Sequence, residues 1–401
     1  MPALSRTLWL IVVPPFAGFV WHLARRMRHP AGSGLDPWSR RIGVGSVVLA
    51  AGATLGHALR LARAPDGTDA FVQSAAGGVH LGRLGAGIGL RLDRLSTTAA
   101  LLACAVAIAV AALLASRKTD VRRGHPWAWL ELSLAGALLS FLADGFVPMV
   151  AGWTIAAAAA AWLEGWADPR PGAVRATRGA LAILALLLGA VSVDDPGGPG
   201  ATAFSTVAFL LAAAAMSAAT PPAGAPYSLA ALACGATTAL LGPYLLLRLV
   251  LLAPMPPGAA PVVAIGGAAM LAAVARRALL APPGAARWLA FVGGAPAGVT
   301  CLSLSRDGEK GALLVLVSAG LAAGLLLLTA AARGFTIDAA EAKVPPARRD
   351  LEAALLSRAP ADAGVLLLSF ERWVVDAIGG AIAVLSHASA WTLSRIDGRR
   401  P

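Results

Sequence analysis

The residues that could carry chemistry in this chain are a few ionisable side chains within or beside long apolar runs. Glu131 and Asp144 lie in the middle third of the chain, and Asp376 and His387 lie in its last apolar run. An ionisable group inside a membrane helix can bind and release protons, and its cost of about 2.5–3.5 kcal/mol at the bilayer centre usually indicates function. These four residues are therefore the candidates for a proton path.

Simpler interpretations exist for the first two candidates. Asp144 precedes Gly145 between two apolar runs, which is typical of a turn residue near the lipid headgroups. Glu131 lies beside Trp127 and Trp129, so an anchor at the membrane interface explains it more simply than a proton half-channel.

The other ionisable candidates also have packing interpretations. Asp376 and His387 are separated by three helical turns, which places them on one helix face but ~16 Å apart. They cannot touch directly, so contacts between helices explain them more simply than transport. His57 lies near the end of an apolar run, three residues before Arg60, and is expected at the interface.

No constellation typical of a metal site or a cofactor site is present in the sequence. Cys104, Cys234 and Cys301 lie in apolar runs without metal-ligand spacing, so they are expected to be buried packing residues. The Gly-rich stretch 197–200 follows a predicted membrane helix and lacks the strand–turn–helix setting of a phosphate-binding loop. We therefore predict no catalytic, metal or cofactor site in this chain.

Composition places these residues in a membrane protein. The 401 residues are 58% hydrophobic and 13% charged, with a mean hydropathy of +0.72, whereas soluble domains carry about 25% charged residues. Apolar runs of about 20 residues suit helices that cross the bilayer. The net charge of +12 is spread over short loops, which indicates topology signals and argues against nucleic acid. The predicted fold class is an all-α, polytopic transmembrane helix bundle, whose many Ala and Gly residues favour close helix packing.

The chain is expected to contain about 12 spans. We predict a transmembrane core over 1–333, which is also the part that carries most of the family resemblance described below, a polar linker with a short amphipathic helix over 334–362, and a C-terminal transmembrane helix within 363–401. Gly-rich residues 63–95 predict a short hairpin on the membrane surface, and a Pro-rich stretch predicts a broken helix near 216–230. The predicted spans are near 6–24, 42–62, 96–116, 127–143, 146–166, 176–194, 202–220, 227–253, 259–280, 286–305, 311–333 and 364–392.

The distribution of basic residues predicts the orientation. Loops that follow odd-numbered spans hold most of the 33 Lys and Arg residues. Because cytoplasmic loops are enriched in these residues, we expect these loops in the cytoplasm, both termini outside, and the chain in a bacterial inner membrane.

Several segments, taken in order, resemble the antiporter-like membrane subunits of respiratory complex I. The similarity is strongest to NADH-quinone oxidoreductase subunit L and its cation/proton antiporter relatives, in a shortened and degenerate form. Leu90–Ser96, for example, is similar to the family's Leu-Asp-x-Leu-Ser at the start of the third helix. The matching segments are Leu90–Ser96, Leu142–Gly145 with Gly152–Trp153, Arg175–Ala180, Ala213–Ala218 with Ala225–Pro226, Gly242–Arg248, Arg287–Phe291 and Phe370–Asp376.

The residues that move protons in that family are replaced here. The family places a Glu on its fifth helix and Lys or His residues on later helices, at mid-membrane depth. The matching positions in this chain are Thr154, Met216, Cys234 and either Ala323 or Gly324. None of the four is an acid or a base near neutral pH, so the resemblance implies that the proton relay of the family is lost.

The resemblance implies a role in the membrane arm of a complex I-type NADH-quinone oxidoreductase, within the respiratory electron transport chain. This subunit would be structural or accessory, with no catalytic site of its own. NADH, FMN, iron-sulfur clusters and quinone would be bound by partner subunits, and the partners of this chain would be other membrane-arm subunits and lipid. Two alternatives remain: a membrane partner in a two-component ion or inorganic-carbon transport system, and an unrelated secondary transporter.

Overall fold

A computed structural model describes most of the first three quarters of the chain, and all that follows concerns the described residues. These are 7–28, 37–65, 68–81, 84–116, 125–165, 179–187, 240–252, 259–280, 285–306, 317 and 320. The chain divides into two compact units, Met1–Arg25 with Ser33–Val344 and Arg26–Gly32 with Pro345–Pro401. Apart from the last turn of the first helix, every described residue belongs to the first unit.

The described part is built from helices and one two-stranded sheet. The helices are α1 (Trp9–Arg28), α2 (Pro37–Ala62), α3 (Arg94–Ser116), α4 (His125–Phe141), α5 (Phe146–Gly165), α6 (Leu241–Leu252), α7 (Ala259–Leu280) and α8 (Ala285–Arg306). The strands are β1 (Ala70–Leu81) and β2 (Leu84–Asp93). Residues 179–187 are also helical.

The helices agree with the predicted spans wherever both can be compared. Two of the described helices, Trp38–Ala62 and Arg94–Ala112, are long and apolar enough to cross a membrane, and five shorter apolar helices accompany them. Apart from residues 317 and 320, the predicted spans 202–220, 311–333 and 364–392, the broken helix near 216–230 and the linker over 334–362 lie outside the described residues, so the count of about 12 spans stays a prediction.

The hairpin predicted over residues 63–95 is present, whereas its location on the membrane surface stays a prediction. Strands β1 and β2 pair antiparallel, from Ala70 opposite Asp93 to Leu81 opposite Leu84. The hairpin also binds the start of α1, because the Leu8 N–H donates to Gln73 Oε1 at 2.7 Å. It therefore marks one end of the bundle, here called the hairpin end, where α1 begins, α2 ends and α3 begins.

The turn between α4 and α5 also lies at the hairpin end. The Arg91 N–H of β2 donates to the Leu142 carbonyl at 2.6 Å, and the Asp144 N–H donates to the Gly89 carbonyl at 3.1 Å. These bonds extend the sheet pairing to the turn and satisfy backbone groups that the helix ends leave free. It follows that α1 ends, and α2 and α4 begin, at the opposite end, here called the far end.

Helices α4 and α5 pack with almost no space between their backbones. A Cβ atom at Gly152 would lie 2.5 Å from the Gly136 carbonyl oxygen and 2.6 Å from the Ser140 nitrogen. Small residues allow this approach, as the abundance of Gly and Ala predicts. The neighbouring Trp153 and Phe141 are fully buried, so this contact lies in the core.

The close approach makes Gly152 sensitive to substitution. We expect Gly152→Ala to lower the free energy of unfolding by about 1–3 kcal/mol, because the added methyl group overpacks two backbones that cannot separate locally. Gly56→Ala on α2 is the matched control, since a Cβ atom there meets no atom within 4 Å and should stabilise the helix by about 0.5–1 kcal/mol. Denaturant unfolding of the purified protein in detergent measures both, and equal effects would contradict this packing.

Candidate functional site

Two buried polar clusters lie at opposite ends of the described bundle. The His22–Glu131 cluster, at the far end, consists of Gly18, His22, Ser39, Gly43, Ser46 and Glu131. The Asp93–Arg248 cluster, at the hairpin end, consists of Arg91, Asp93, Ser96, Tyr244 and Arg248.

The interpretation of Glu131 as an interfacial anchor is wrong, because the side chain is fully buried, with 0% exposure. It lies six residues into α4, where it faces α1 and α2. Of the two tryptophans that suggested an interface, Trp127 is buried, whereas Trp129 is half-buried against the exposed Trp162. Trp129 stacks on Trp162 at 5.1 Å between ring centroids, and Trp127 packs so closely on Gly43 that a Cβ atom there would overlap the indole.

The Glu131 carboxylate binds one side chain from each neighbouring helix. Its Oε2 lies 2.8 Å from Nδ1 of His22 on α1, and Ser46 Oγ on α2 donates to its Oε1 at 2.5 Å. A Cβ atom at Gly18 would overlap the carboxylate, so glycine at this position leaves the room that the acid occupies. The three helices thus enclose an acid and a histidine in direct contact.

Backbone carbonyls complete the surroundings of His22, which is 5% exposed. Its Nδ1 also lies 2.8 Å from the carbonyl oxygen of Gly18, and its Nε2 lies 3.1 Å from that of Ser39. Such a pair of buried titratable groups, each with several hydrogen-bonding neighbours, can hold and exchange protons.

Sequence reasoning missed His22 altogether. The residue lies inside the first predicted span, 6–24, and the rule that singled out Glu131 applies equally to a histidine in a membrane helix. The signal that would have identified His22 was therefore present in the sequence.

The Asp93–Arg248 cluster joins two residues that both carry the family resemblance. Arg248 of α6 donates through Nη1 to Asp93 Oδ2, with side-chain exposures of 7% and 14%, and Arg91 Nε lies 3.2 Å from the same oxygen. These two matched segments, 155 residues apart in sequence, therefore meet in the fold.

Asp93 has a second task as the cap of α3. Its Oδ1 accepts the Ser96 N–H at 2.9 Å, and Ser96 Oγ accepts the Asp93 N–H at 2.7 Å. This reciprocal pair is a capping box, with Ser96 in place of the usual Glu. The Leu-Asp-x-Leu-Ser pattern thus has a local physical explanation, because it starts the helix that follows the hairpin.

Tyr244 ties α6 to the end of α4. Its hydroxyl donates to the Phe141 carbonyl at 2.6 Å, and the two rings meet edge to face at 4.9 Å between centroids. Because Tyr244 precedes Arg248 by one turn, the same face of α6 presents both groups to the hairpin end.

The two acids at the hairpin end differ in pKa. Burial raises the pKa of Asp93, but the charge of Arg248 and the hydrogen bonds from Ser96 and Arg248 outweigh it, so the pKa lies below its ordinary value. Burial raises the pKa of Asp144, and the charges of Arg91 and Arg248 only partly offset that effect. Asp144 itself is an exposed residue of the α4–α5 turn, so its interpretation as a turn residue is confirmed.

The remaining sequence candidates are placed as follows. Thr154 of α5 is half-buried and donates to the Val150 carbonyl of its own helix at 2.8 Å. His57 is 5% exposed and its Nε2 lies 3.3 Å from Thr7 Oγ1 at the start of α1, and its place at the membrane interface stays a prediction. Cys104 and Cys301 are buried, as predicted. The candidates outside the described residues are Met216, Cys234, Ala323, Asp376 and His387.

Comparison with known proteins adds one finding. No family model and no curated protein matches this chain. Among solved structures, it is similar to a chain of the membrane-bound sulfane sulfur reductase (MBS), an archaeal respiratory membrane complex, with a TM-score of 0.64 and 18% identity. The match covers 82% of this chain and 56% of that chain, so this chain spans little more than half the length of its neighbour. At this identity the likeness shows the fold, which is that of a subunit of a respiratory membrane complex.

Proposed function

We propose that this chain is a membrane-arm subunit of a respiratory, complex I-type assembly. The observation that carries the proposal is the fold likeness over 82% of the chain to a subunit of a respiratory membrane complex. A separate argument comes from the sequence motifs. They resemble those of the antiporter-like subunits of complex I, and subunit L most closely. Two independent lines of argument therefore favour the same kind of assembly.

The ion pair between Asp93 and Arg248 supports the family part of the proposal. Both residues belong to segments chosen from sequence alone, and the fold brings them into one buried contact. A chance similarity of short motifs gives no reason for two of them to meet.

Within this assembly the chain is an accessory subunit. The positions that match the family relay hold Thr154, Met216, Cys234 and Ala323, and none of these carries a proton near neutral pH. The Thr154 hydroxyl is used within its own helix. The chain would then supply about 12 spans of packing surface in a bacterial inner membrane, while partner subunits bind NADH, FMN, iron-sulfur clusters and quinone.

Purification from native membranes tests the proposal. We expect the full chain, tagged at its C-terminus and extracted in mild detergent, to co-purify with complex I-type core subunits and NADH-quinone oxidoreductase activity. An unrelated polytopic protein with the same tag, from the same membranes, is the control for non-specific capture. Isolation of the chain alone, or with one large soluble or peripheral partner as in a two-component transporter, would reject the proposal.

A further inference from the structure

The surface at the far end of α1 and α2 carries an excess of positive charge. Arg25 lies in the last turn of α1, and Arg40 and Arg41 lie among the first five residues of α2. Neither helix contains an Asp or Glu residue. From Arg25 to Arg41 the sequence contains five arginines and a single acid, Asp36. The far end of these two helices is therefore strongly basic.

A hydrogen bond holds the two helix ends side by side. His22 Nε2 lies 3.1 Å from the Ser39 carbonyl oxygen, and a carbonyl oxygen only accepts, so the ring donates. Arg25 follows His22 by three residues, which is less than one helical turn, and Arg40 and Arg41 directly follow Ser39. The three arginines therefore lie at a similar depth at one end of the bundle.

Two tryptophans place guanidinium groups at this depth. Arg25 lies over the Trp21 ring at 5.3 Å from its centroid, and Arg41 lies over the Trp38 ring at 5.4 Å. Trp38 is 56% exposed although it begins a long apolar helix. Tryptophan at the end of a membrane helix is typical of the headgroup level, so these cation–π contacts hold both arginines at the level of the lipid phosphates.

The described residues do not neutralise this charge. Glu131 is the only acid on α1, α2 and α4, and it is fully buried and bound within the His22–Glu131 cluster. Arg40 and Arg41 are exposed and form no ion pair with any residue in the described part of the chain. At the hairpin end, in contrast, Arg248 pairs with Asp93. The far end therefore offers its positive charge to an anionic partner from outside.

The exposed face of α2 continues from this charge into an apolar surface. Arg41, Val48 and Leu55 follow one another at intervals of seven residues, or two helical turns, and so share one face. Val48 and Leu55 are each 51% exposed. Helix α2 has 26 residues, which gives a length of ~39 Å, enough to cross the hydrocarbon core with both ends among the headgroups. This face therefore presents a cation at headgroup depth and apolar side chains below it.

We propose that the far end of α1 and α2 binds an anionic phospholipid. The phosphate lies against Arg40 and Arg41, because guanidinium groups form strong, charge-assisted hydrogen bonds with phosphate oxygens. Arg25 adds to the positive field, and the acyl chains lie along Val48 and Leu55. The predicted orientation places this end in the cytoplasm, where the anionic membrane surface attracts basic segments. The lipid is a partner beyond those that membership of a respiratory assembly implies.

Native mass spectrometry of the full chain in mild detergent tests the proposal. The protein is mixed with equal amounts of phosphatidylglycerol and phosphatidylcholine, which isotopic labels distinguish. Each basic residue near an anionic membrane surface strengthens binding roughly fivefold. We therefore expect a preference for phosphatidylglycerol of at least about tenfold, and a loss of about 10–30-fold in its binding in Arg40→Gln/Arg41→Gln. Binding of phosphatidylcholine should stay unchanged, and circular dichroism establishes that the variant is folded.

Two double variants serve as controls. Arg60→Gln/Arg63→Gln removes two exposed arginines at the hairpin end of α2 and should change the preference by less than about twofold. Arg40→Lys/Arg41→Lys keeps the charge and should keep most of the preference. Equal losses at the two ends of α2, or no preference in the unmodified chain, would overturn the proposal. Displacement of the lipid by about 10 mM inorganic phosphate would also overturn it, because the acyl chains would then contribute nothing.

Photo-cross-linking in native membranes distinguishes a lipid from a partner subunit on the same face. We expect the variant Val48→p-benzoylphenylalanine to cross-link to phospholipid on irradiation. A cross-link to a polypeptide would show that another subunit covers this face of α2, and would contradict the proposal. Membership of a respiratory assembly is tested separately by co-purification, so the two proposals can fail independently.

Discussion

Replacement of Glu131 by leucine is expected to lower the free energy of unfolding by about 3–5 kcal/mol, which is the typical cost of removing one partner from a buried ion pair. Glu131 is fully buried, and His22 at 2.8 Å has no other anionic neighbour among the described residues. Leucine would leave an uncompensated imidazolium, or force it to release a proton and lose a hydrogen bond to a carbonyl. Denaturant unfolding in detergent, followed by circular dichroism, measures the loss.

The double variant His22→Leu/Glu131→Leu separates charge pairing from packing. When both partners of a buried ion pair become apolar, the protein is often as stable as before, so we expect the double variant to regain most of the loss. The two substitutions would then be strongly non-additive, as contacting residues are. If the double variant loses as much free energy of unfolding as the two single variants together, the side chains contribute only through packing. That result would contradict an ion pair at this site.

The sequence predicted local structure well and distant contacts poorly. The glycine content of residues 63–95 favours turns and predicts the hairpin. The helices followed from apolar runs of sufficient length. Both signals lie within one short segment, and for that reason they can be read without knowledge of the rest of the chain.

The burial of Glu131 could not be predicted in the same way. Its partners lie 109 residues before it on α1 and 85 residues before it on α2. Which face of α4 meets these helices depends on glycines at positions 18 and 43, whose small size allows the approach. A single Glu among tryptophans therefore has the local sequence pattern of a residue at the membrane interface. Only the tertiary contacts show that Glu131 lies in the interior of the bundle.

The contact between Asp93 and Arg248 was partly predictable from the sequence. The resemblance selected both residues, yet nothing local indicated that they would meet. The capping role of Asp93 is local and could have been derived from Asp-x-x-Ser before an apolar run. The ion pair that Asp93 forms with Arg248 of α6, in contrast, could be identified only from the three-dimensional structure.

Arg248→Leu is expected to lower the free energy of unfolding by about 2–4 kcal/mol. The loss should be smaller than that of Glu131→Leu, because Asp93 keeps its hydrogen bonds with Ser96 and its place at the N-terminus of α3, where an anion is favourable. Hydrogen exchange should become faster in β2, since Asp93 is the last residue of that strand. Chemical unfolding and amide exchange measure the two effects.

The pH dependence of the same variant gives a sharper test. In the unmodified chain the pKa of Asp93 is lower in the folded state than in the unfolded state, so its contribution to stability is complete above the unfolded pKa, near about 4, and is lost as the pH falls through the folded pKa. Without Arg248 the folded pKa rises, so the variant should lose less stability than the unmodified chain over that acidic range. Arg94→Leu is the matched control, because this neighbouring arginine is exposed and its removal should change stability by less than about 0.5 kcal/mol. Equal losses for Arg248→Leu and Arg94→Leu, or an unchanged acid profile, would show that the buried ion pair does not stabilise the hairpin end.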